Sequence, residues 1–421
     1  MANDFSKEEK VAFEDVCEGF EDGLVMSKNM NIYRTDDQTM ERTGDVINRP
    51  MPYIMTSHDG SDATADFDDV TQLTVPATIG YDKHVSWIMS ATELRDALQE
   101  GRIADAARQR LASDVNVASM NVSAYQGSLV VKRTVAATGF DDVALCEAIM
   151  NEQGVPSYDR FLALSTRDYN GMAGNLAGRA TMQGKPMNAY ERAYVGPVAS
   201  FETFKMDSSI RLAAAGGGAG LTITTLAAGG NVYVPAATSV ATTGQRSNVD
   251  NRFQSTVWSS TASVVAGDCF TIATVNAVHH ITKEDTGQLK TFRVVSVDDA
   301  THATITPPLI TAQGGTQPEL QYQNCTVGTP AANSAIVFLN TVAAYANIFW
   351  HKDSLELLPG RLVIPSDGVA VMRATLDNGL EVVMQKQYDI DIRKFKIRID
   401  TRFGVVNKNT EMNGIILFSQ T

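Results

Sequence analysis

Carboxylates crowd one short stretch of this chain, where Asp59, Asp62, Asp66, Asp68 and Asp69 fall between Ser57 and Val70. Such a cluster could hold a calcium ion. An EF-hand, however, needs acidic oxygens at loop positions one, three and five, glycine at six and glutamate at twelve. This stretch fails that register. A second acidic group, Glu14, Asp15, Glu18, Glu21 and Asp22, lies near the N-terminus. Cations fall elsewhere: Arg102, Arg108 and Arg110 share a helical pattern, and Arg246, Asp250 and Arg252 share a polar loop. GxSxG, HExxH and CxxC motifs do not occur. The run from Gly216 to Gly220 lacks both the GK[ST] ending of a phosphate loop and the GxGxxG spacing of a dinucleotide fold. His279 and His280 are adjacent in a β-rich stretch, where neighbouring side chains face opposite ways and do not readily share a metal. The remaining histidines, His58, His84, His302 and His351, show no ligand spacing. No catalytic residue, metal site or cofactor is expected.

The elements that must carry these charges can be read in order. Residues 90–126 predict a single long helix. Ser90-Ala91-Thr92-Glu93 is a capping box, and Leu94, Leu98, Ala104, Ala107, Leu111, Val115, Ala118, Val122 and Tyr125 recur at steps of mostly three and four. Arg102, Asp105, Arg108, Arg110, Asp114 and Asn116 occupy its other face. At 1.5 Å per residue it would be about 50 Å long, a spine from which other elements hang. Before it, the acidic N-terminal residues alternate with Phe5, Val11, Phe13, Val16, Phe20 and Leu24. That pattern predicts an amphipathic arm packed on something else, or a solvated helix on its own domain. Residues 47–84 predict a projecting hairpin. Its first strand is extended by Pro50 and Pro52, its tip is acidic, and its second strand runs from Val70 to Ile79.

After the spine, a strand at 128–131, a helix at 140–153, a strand at 161–164 and a helix from Thr166 predict a compact α+β domain. Composition then shifts. From Leu221 onward short alternating runs rich in Thr, Val and Ser are separated by turn signals such as Ala266-Gly267-Asp268. They predict an inserted all-β barrel or sandwich. The chain closes on Phe395, Ile397, Ile399, Thr401 and Phe403, alternating with Lys394, Lys396, Arg398, Asp400 and Arg402. One face of that strand is buried, and the other is solvated or meets a neighbour. A turn at 407–409 should return the chain through residues 414–418.

Composition narrows the function classes. The 421 residues are 44% hydrophobic and 20% charged, which is globular. A net charge of -13 argues against general nucleic-acid binding, which needs a basic face, and leaves room for a basic protein partner. The four cysteines, Cys17, Cys146, Cys269 and Cys325, are scattered and read as free thiols of a protein folded in the cytosol. The N-terminus lacks the basic start and apolar core of a signal peptide.

The ordered set of arm, hairpin, capped spine, α+β domain, inserted β module and terminal strands resembles the HK97-fold major capsid proteins of tailed phages. Within them it is most similar to the coat proteins of phage P22 and its relatives. The residues that carry the resemblance are Leu94-Arg95-Asp96-Ala97, Ala106 to Ala112, Gly127-Ser128-Leu129-Val130, Asn248-Val249-Asp250-Asn251-Arg252-Phe253, Ala266-Gly267-Asp268, Thr301 to Pro307 and Ala346 to Trp350. The resemblance implies an N-arm over 1–46, an E-loop over 47–84 and a spine and P domain over 85–135. It places an A domain over 136–215, an inserted I domain over 216–345, and the remaining A and P strands over 346–421.

It further implies assembly of hexamers and pentamers into an icosahedral shell around double-stranded DNA. A separate scaffolding protein and a portal protein are expected partners, and the host bacterial cytoplasm is the expected place of assembly. No scaffolding domain is expected ahead of the arm. Lys83, the one lysine between Asn48 and His84, lies at the hairpin base, so no loop crosslink is expected. Within this picture the carboxylates of 59–69 pair with spine arginines of a neighbour. The arm contacts a basic scaffold segment, and Arg246 meets Asp250 across a twofold axis. The alternatives are a β-rich surface adhesin whose aspartate loop binds calcium, and a hydrolase with a β accessory domain.

Overall fold

A computed structural model describes residues 10–11, 13–14, 16–18, 20, 24–33, 46–52, 54–55, 57–62, 64, 67, 70, 72–90, 97–178, 192–193, 195–216, 220–225, 250–312, 317–326, 334–362 and 370–421. Two compact units emerge, each built from separated stretches. One comprises Met1–Ile47, Ala77–Met120 and Glu356–Val406; the other comprises Asn48–Pro76, Asn121–Leu355 and Asn407–Thr421.

The first unit is a helix on a sheet. The long helix is described over Ala97–Gln126, about 45 Å at the standard rise, and its residues from Asn121 on belong to the second unit. Residues 91–93 of the expected capping box lie outside the described residues, and Ser90 ends a strand. Ala107, Leu111, Val115 and Ala118 are buried at the predicted spacing. They meet Met89, Val382, Met384, Ile397, Ile399 and Phe403 in one core. Those residues come from a sheet in which Tyr81–Ser90 and Glu381–Asp389 flank Lys394–Asn407, with Ala370–Thr375 at the edge beyond Glu381–Asp389. Phe13, Val16, Phe20 and Leu24 join the same core, so the arm's apolar side packs on its own chain. Each such burial contributes about 1.5–3 kcal/mol. Asn116, which the sequence pattern puts on the polar face, is only 7% exposed. Its side-chain oxygen accepts the amides of Val25 and Met26 at 3.2 and 3.4 Å. A short polar side chain is tolerated inside because the turn ending the arm supplies its partners.

The second unit holds a mixed five-stranded sheet ordered Leu129–Lys132, Asn413–Leu417, Asn347–His351, Arg160–Ser165, Phe201–Met206. Helices Phe140–Glu152 and Thr166–Ala177 bury Val143, Cys146, Met150, Tyr169 and Met172 in its core. Both helices are capped by sequence. The Asp142 carboxylate accepts the Thr138 and Gly139 amides and the Arg133 Nε, and the Ser165 hydroxyl accepts the Asp168 amide. The last strand departs from expectation. Instead of returning on Lys394–Asn407, Asn413–Leu417 runs parallel to Leu129–Lys132 and antiparallel to Asn347–His351. The 3-10 turn Thr410–Met412 separates it from the preceding strand.

The inserted region closes into a barrel. Its six strands, in ring order, are Gln254–Trp258, His302–Thr306, Asp285–Val297, Cys269–Val278, Ser334–Phe338 and Thr222–Thr225, and every pairing is antiparallel. Ring closure leaves no strand edge open. Phe270 is the centre of its core, edge-on to Trp258, stacked with Phe292 and tilted against Phe338.

Candidate assembly surfaces

The inserted barrel is fastened to the rest of its unit by buried polar contacts. Thr291 donates to the Ser128 carbonyl at 2.7 Å and accepts the Val130 amide at 3.3 Å. Arg293, wholly buried, donates through Nη2 to the carbonyl of Ala124 in the last turn of the long helix. A guanidinium there answers both an unsatisfied carbonyl and the negative end of the helix dipole. Lys290 forms an ion pair with Glu411, whose other oxygen lies 3.6 Å from His280 Nε2. Burial tends to raise the Glu411 carboxyl, but Lys290 and His280 outweigh it and hold the group below its usual range. Burial pushes the His280 imidazole down to about 4, against the opposing pull of Glu411. The same cause lowers Lys283 to about 8. Partners in these contacts are up to 169 residues apart, so no local motif signals them.

Asp250 and Arg252, expected in an exposed loop, belong to this fastening. The Asp250 carboxylate accepts the Arg252 amide at 3.1 Å, Nε at 2.9 Å and Nη2 at 2.6 Å. Arg252 Nη1 donates to the Asn407 carbonyl at 2.7 Å, and the guanidinium lies 4.7 Å from the Phe253 ring centre. Arg252 is 7% exposed. Arg246 lies outside the described residues. Asp250 thus has a partner within its own chain.

The remaining charges are on the surface. Glu14 and Glu18 are exposed and helical, while Asp15, Glu21 and Asp22 lie outside the described residues. Arg108 pairs with Asp105 at 3.3 Å and Arg110 with Asp114 at 3.1 Å, both within the long helix. Arg102 is helical, but its side chain lies outside the described residues. Asp59 and Asp62 are exposed. Asp62 accepts the Thr64 hydroxyl at 2.5 Å and amide at 3.1 Å, and these bonds lower its pKa. Asp66, Asp68 and Asp69 lie outside the described residues. Phe67, among them, is 88% exposed. Among the described residues, no three carboxylate, imidazole or thiol groups converge as a metal cluster would. No described helix is long and apolar enough to cross a membrane.

A family model described as "P22 coat protein - gene protein 5" matches residues 1–419. The chain belongs to the P22 coat protein family. It is therefore a phage coat protein, a structural subunit rather than an enzyme, and coat proteins assemble in many copies to form the virion shell. Its α+β body with an inserted antiparallel β barrel is the fold class expected from the sequence. Similar solved structures include one described as Mycobacterium phage Che8, at 9% identity and TM-score 0.47, covering 94% of this chain and 92% of that one. Another is the capsid of cyanophage P-SCSP1u, at 9% identity and TM-score 0.44, covering 94% and 89%. The CUS-3 coat protein I-domain is 32% identical over 30% of this chain and 99% of that one, with TM-score 0.23.

Proposed function

We propose that this coat protein builds an icosahedral shell of hexamers and pentamers around double-stranded DNA, assembling on a separate scaffolding protein in the host cytoplasm and leaving one position to a portal protein. The family match over residues 1–419 carries the reading. The domain division expected from sequence goes with it: arm 1–46, E-loop 47–84, spine and P domain 85–135, A domain 136–215, I domain 216–345, remainder 346–421. Two features support it. The acidic arm presents Glu14 and Glu18 outward while its apolar side is anchored in a core. That arrangement suits a basic scaffold segment, and an acidic lining repels DNA rather than binding it. Residues 57–69 carry five aspartates and an exposed Phe67, which suits contact with a neighbouring subunit. We assign the polar loop ahead of Asp250, with Arg246, to contacts between capsomers.

Co-expression with its scaffolding protein tests the reading. The expected product sediments as particles of hundreds of subunits and shows closed shells in negative stain. A monomer or small oligomer, unchanged by the scaffold, refutes it. Scaffold re-entry into emptied shells should weaken with added salt, because exposed charges are screened beyond about 8 Å at physiological ionic strength, and with Glu14→Lys.

A further inference from the structure

The second unit forms a cavity of about 330 Å3 whose walls all belong to that unit. Met51, Ile54 and Leu73 line one side, and the Met51 amide donates to the Leu73 carbonyl at 2.9 Å. Ile310 and Tyr322 line it from the inserted region, and Val155 from the turn after helix Phe140–Glu152. Leu73, Ile310 and Tyr322 are buried in one cluster, with Met51 and Ile54 packed against it. Ile281, also on the wall, is 67% exposed. A cavity of that size with a mainly apolar lining has the proportions of a small-molecule site.

The buried charges on the wall are matched within the chain. Glu411 is paired with Lys290, and Arg252 with Asp250. Burial keeps the His280 imidazole neutral near pH 7. Asp353, 52% exposed, adds only negative charge. A carboxylate entering here would give up water without gaining a counterion. Two uncharged polar groups are unsatisfied instead. The side-chain oxygen of Gln153, a residue 3% exposed, has no hydrogen-bond partner among the described residues. The same holds of His280 Nε2, which lies 3.6 Å from Glu411, beyond hydrogen-bond reach. Both residues line the cavity, and the His280 amide donates to the Gln153 carbonyl at 3.4 Å, so they are neighbours. An amide oxygen accepts, and a neutral imidazole nitrogen accepts or donates according to its tautomer. One hydroxyl group answers both.

We propose that this cavity binds a small uncharged amphiphile, an aryl or alkyl alcohol. Its apolar body lies among Met51, Ile54, Leu73, Ile310 and Tyr322, and its hydroxyl is held by Gln153 and His280. An occupant so placed touches residues 51–73 and the inserted region at once, and keeps Met51 and Leu73 against Ile310 and Tyr322. The site is separate from the contacts assigned to assembly and does not depend on them.

Titration of the full-length wild-type subunit with para-phenylphenol, read by calorimetry, tests the proposal. Saturable binding of one molecule per subunit is expected. Biphenyl should bind about tenfold more weakly for want of the hydroxyl. The similarly shaped but charged para-phenylbenzoate should not bind. Hydrogen exchange at the Met51 amide should slow when the alcohol is bound. Ile281 is exposed, so Ile281→Asp leaves the fold intact, and the charge it places on the wall should abolish binding. Gln153→Met keeps the side-chain length and removes the acceptor, and should bring para-phenylphenol down to the affinity of biphenyl. No saturable binding up to the solubility of the alcohol overturns the proposal. Binding that Ile281→Asp leaves unchanged also overturns it, since the alcohol would then lie elsewhere. Equal affinity for the benzoate overturns the uncharged class, and full affinity in Gln153→Met overturns the hold on the hydroxyl. Unaltered exchange at Met51 in the bound subunit overturns the placement of the apolar body.

Discussion

The inserted barrel and the 57–69 segment are both rich in polar residues, yet their described residues pack in opposite ways. The barrel closes its own hydrogen-bond ring and buries Trp258, Phe270 and Phe292. Its buried cations have partners within its own unit: Lys290 on Glu411, Arg293 on Ala124, Arg252 on Asp250 and Asn407. Residues 57–69 have no regular secondary structure at the described positions and leave Phe67 in solvent. A segment of that composition cannot bury enough apolar surface to offset its own ordering. A region finished by its own chain should therefore respond to mutation in the isolated subunit, and one finished by a neighbour only in the particle.

The largest expected effect tests the self-sufficient half. Phe270→Ala removes a fully buried ring that contacts three other aromatics, and should cost the isolated subunit about 3–5 kcal/mol, read by urea unfolding. A loss below about 1 kcal/mol would show that the barrel core is not packed as described.

Glu411→Ala comes next. It leaves Lys290, about 5% exposed, as an uncompensated buried charge, a change that costs about 3–5 kcal/mol when nothing relaxes. Lys283, a like charge nearby, repels Lys290 and gives no relief, so the loss is expected within that range. A Glu411→Ala, Lys290→Met double variant should regain most of the loss. No regain in calorimetry would mean that the pair is not what fastens the barrel.

Acid should act on the same joint. The folded-state pKa of His280, about 4, lies below the ordinary histidine value of about 6.5, so folding disfavours its proton. The associated stability is fully present above about pH 6.5 and is lost progressively as pH falls through 4, up to about 3 kcal/mol. In His280→Gln the difference in melting temperature between pH 7 and pH 4.5 should shrink. An unchanged difference would assign the acid response to other groups.

The smallest effect per site belongs to the other half. Replacing Asp59, Asp62, Asp66, Asp68 and Asp69 by Asn should lower the thermal stability of shells and leave the isolated subunit unchanged. Each exposed pair is worth about 0–1 kcal/mol, multiplied by repetition over the particle. Equal melting of mutant and wild-type shells would separate this segment from assembly altogether.

How well the sequence could be read follows the same division. The helices Phe140–Glu152 and Thr166–Ala177 and the strand Arg160–Ser165 were legible because period and caps are local. So was the all-β nature of the insertion, from alternation and spaced turns. What was not legible is pairing across distance. Residues 414–418 read as the return of a hairpin because a turn precedes them, yet their partners are Leu129–Lys132 and Asn347–His351. Asn116 reads as surface because asparagine usually is, and only the returning arm turns it into an internal cap. Asp250 and Arg252 read as loop charges, because a carboxylate two residues from an arginine says nothing of the Asn407 carbonyl that fixes the guanidinium. Arg108 and Arg110 also pair with Asp105 and Asp114 of their own helix, at the helical spacing of three and four residues.

Where the chain departs into the barrel and comes back, the two connections are laced together. Arg211–Leu212 pairs antiparallel with Ala344–Tyr345, and Asn340 binds back to residues 213 and 215. To the α+β body, the whole excursion is then equivalent to a hairpin turn, since it begins and ends at neighbouring points. A module attached this way can lengthen, shrink or be exchanged over generations at little cost in loop closure, which grows only slowly with length. What resists its removal is the set of side chains left behind. Glu411 would lose the Lys290 cation that compensates it, so a lineage that lost the barrel would be expected to have changed Glu411 first.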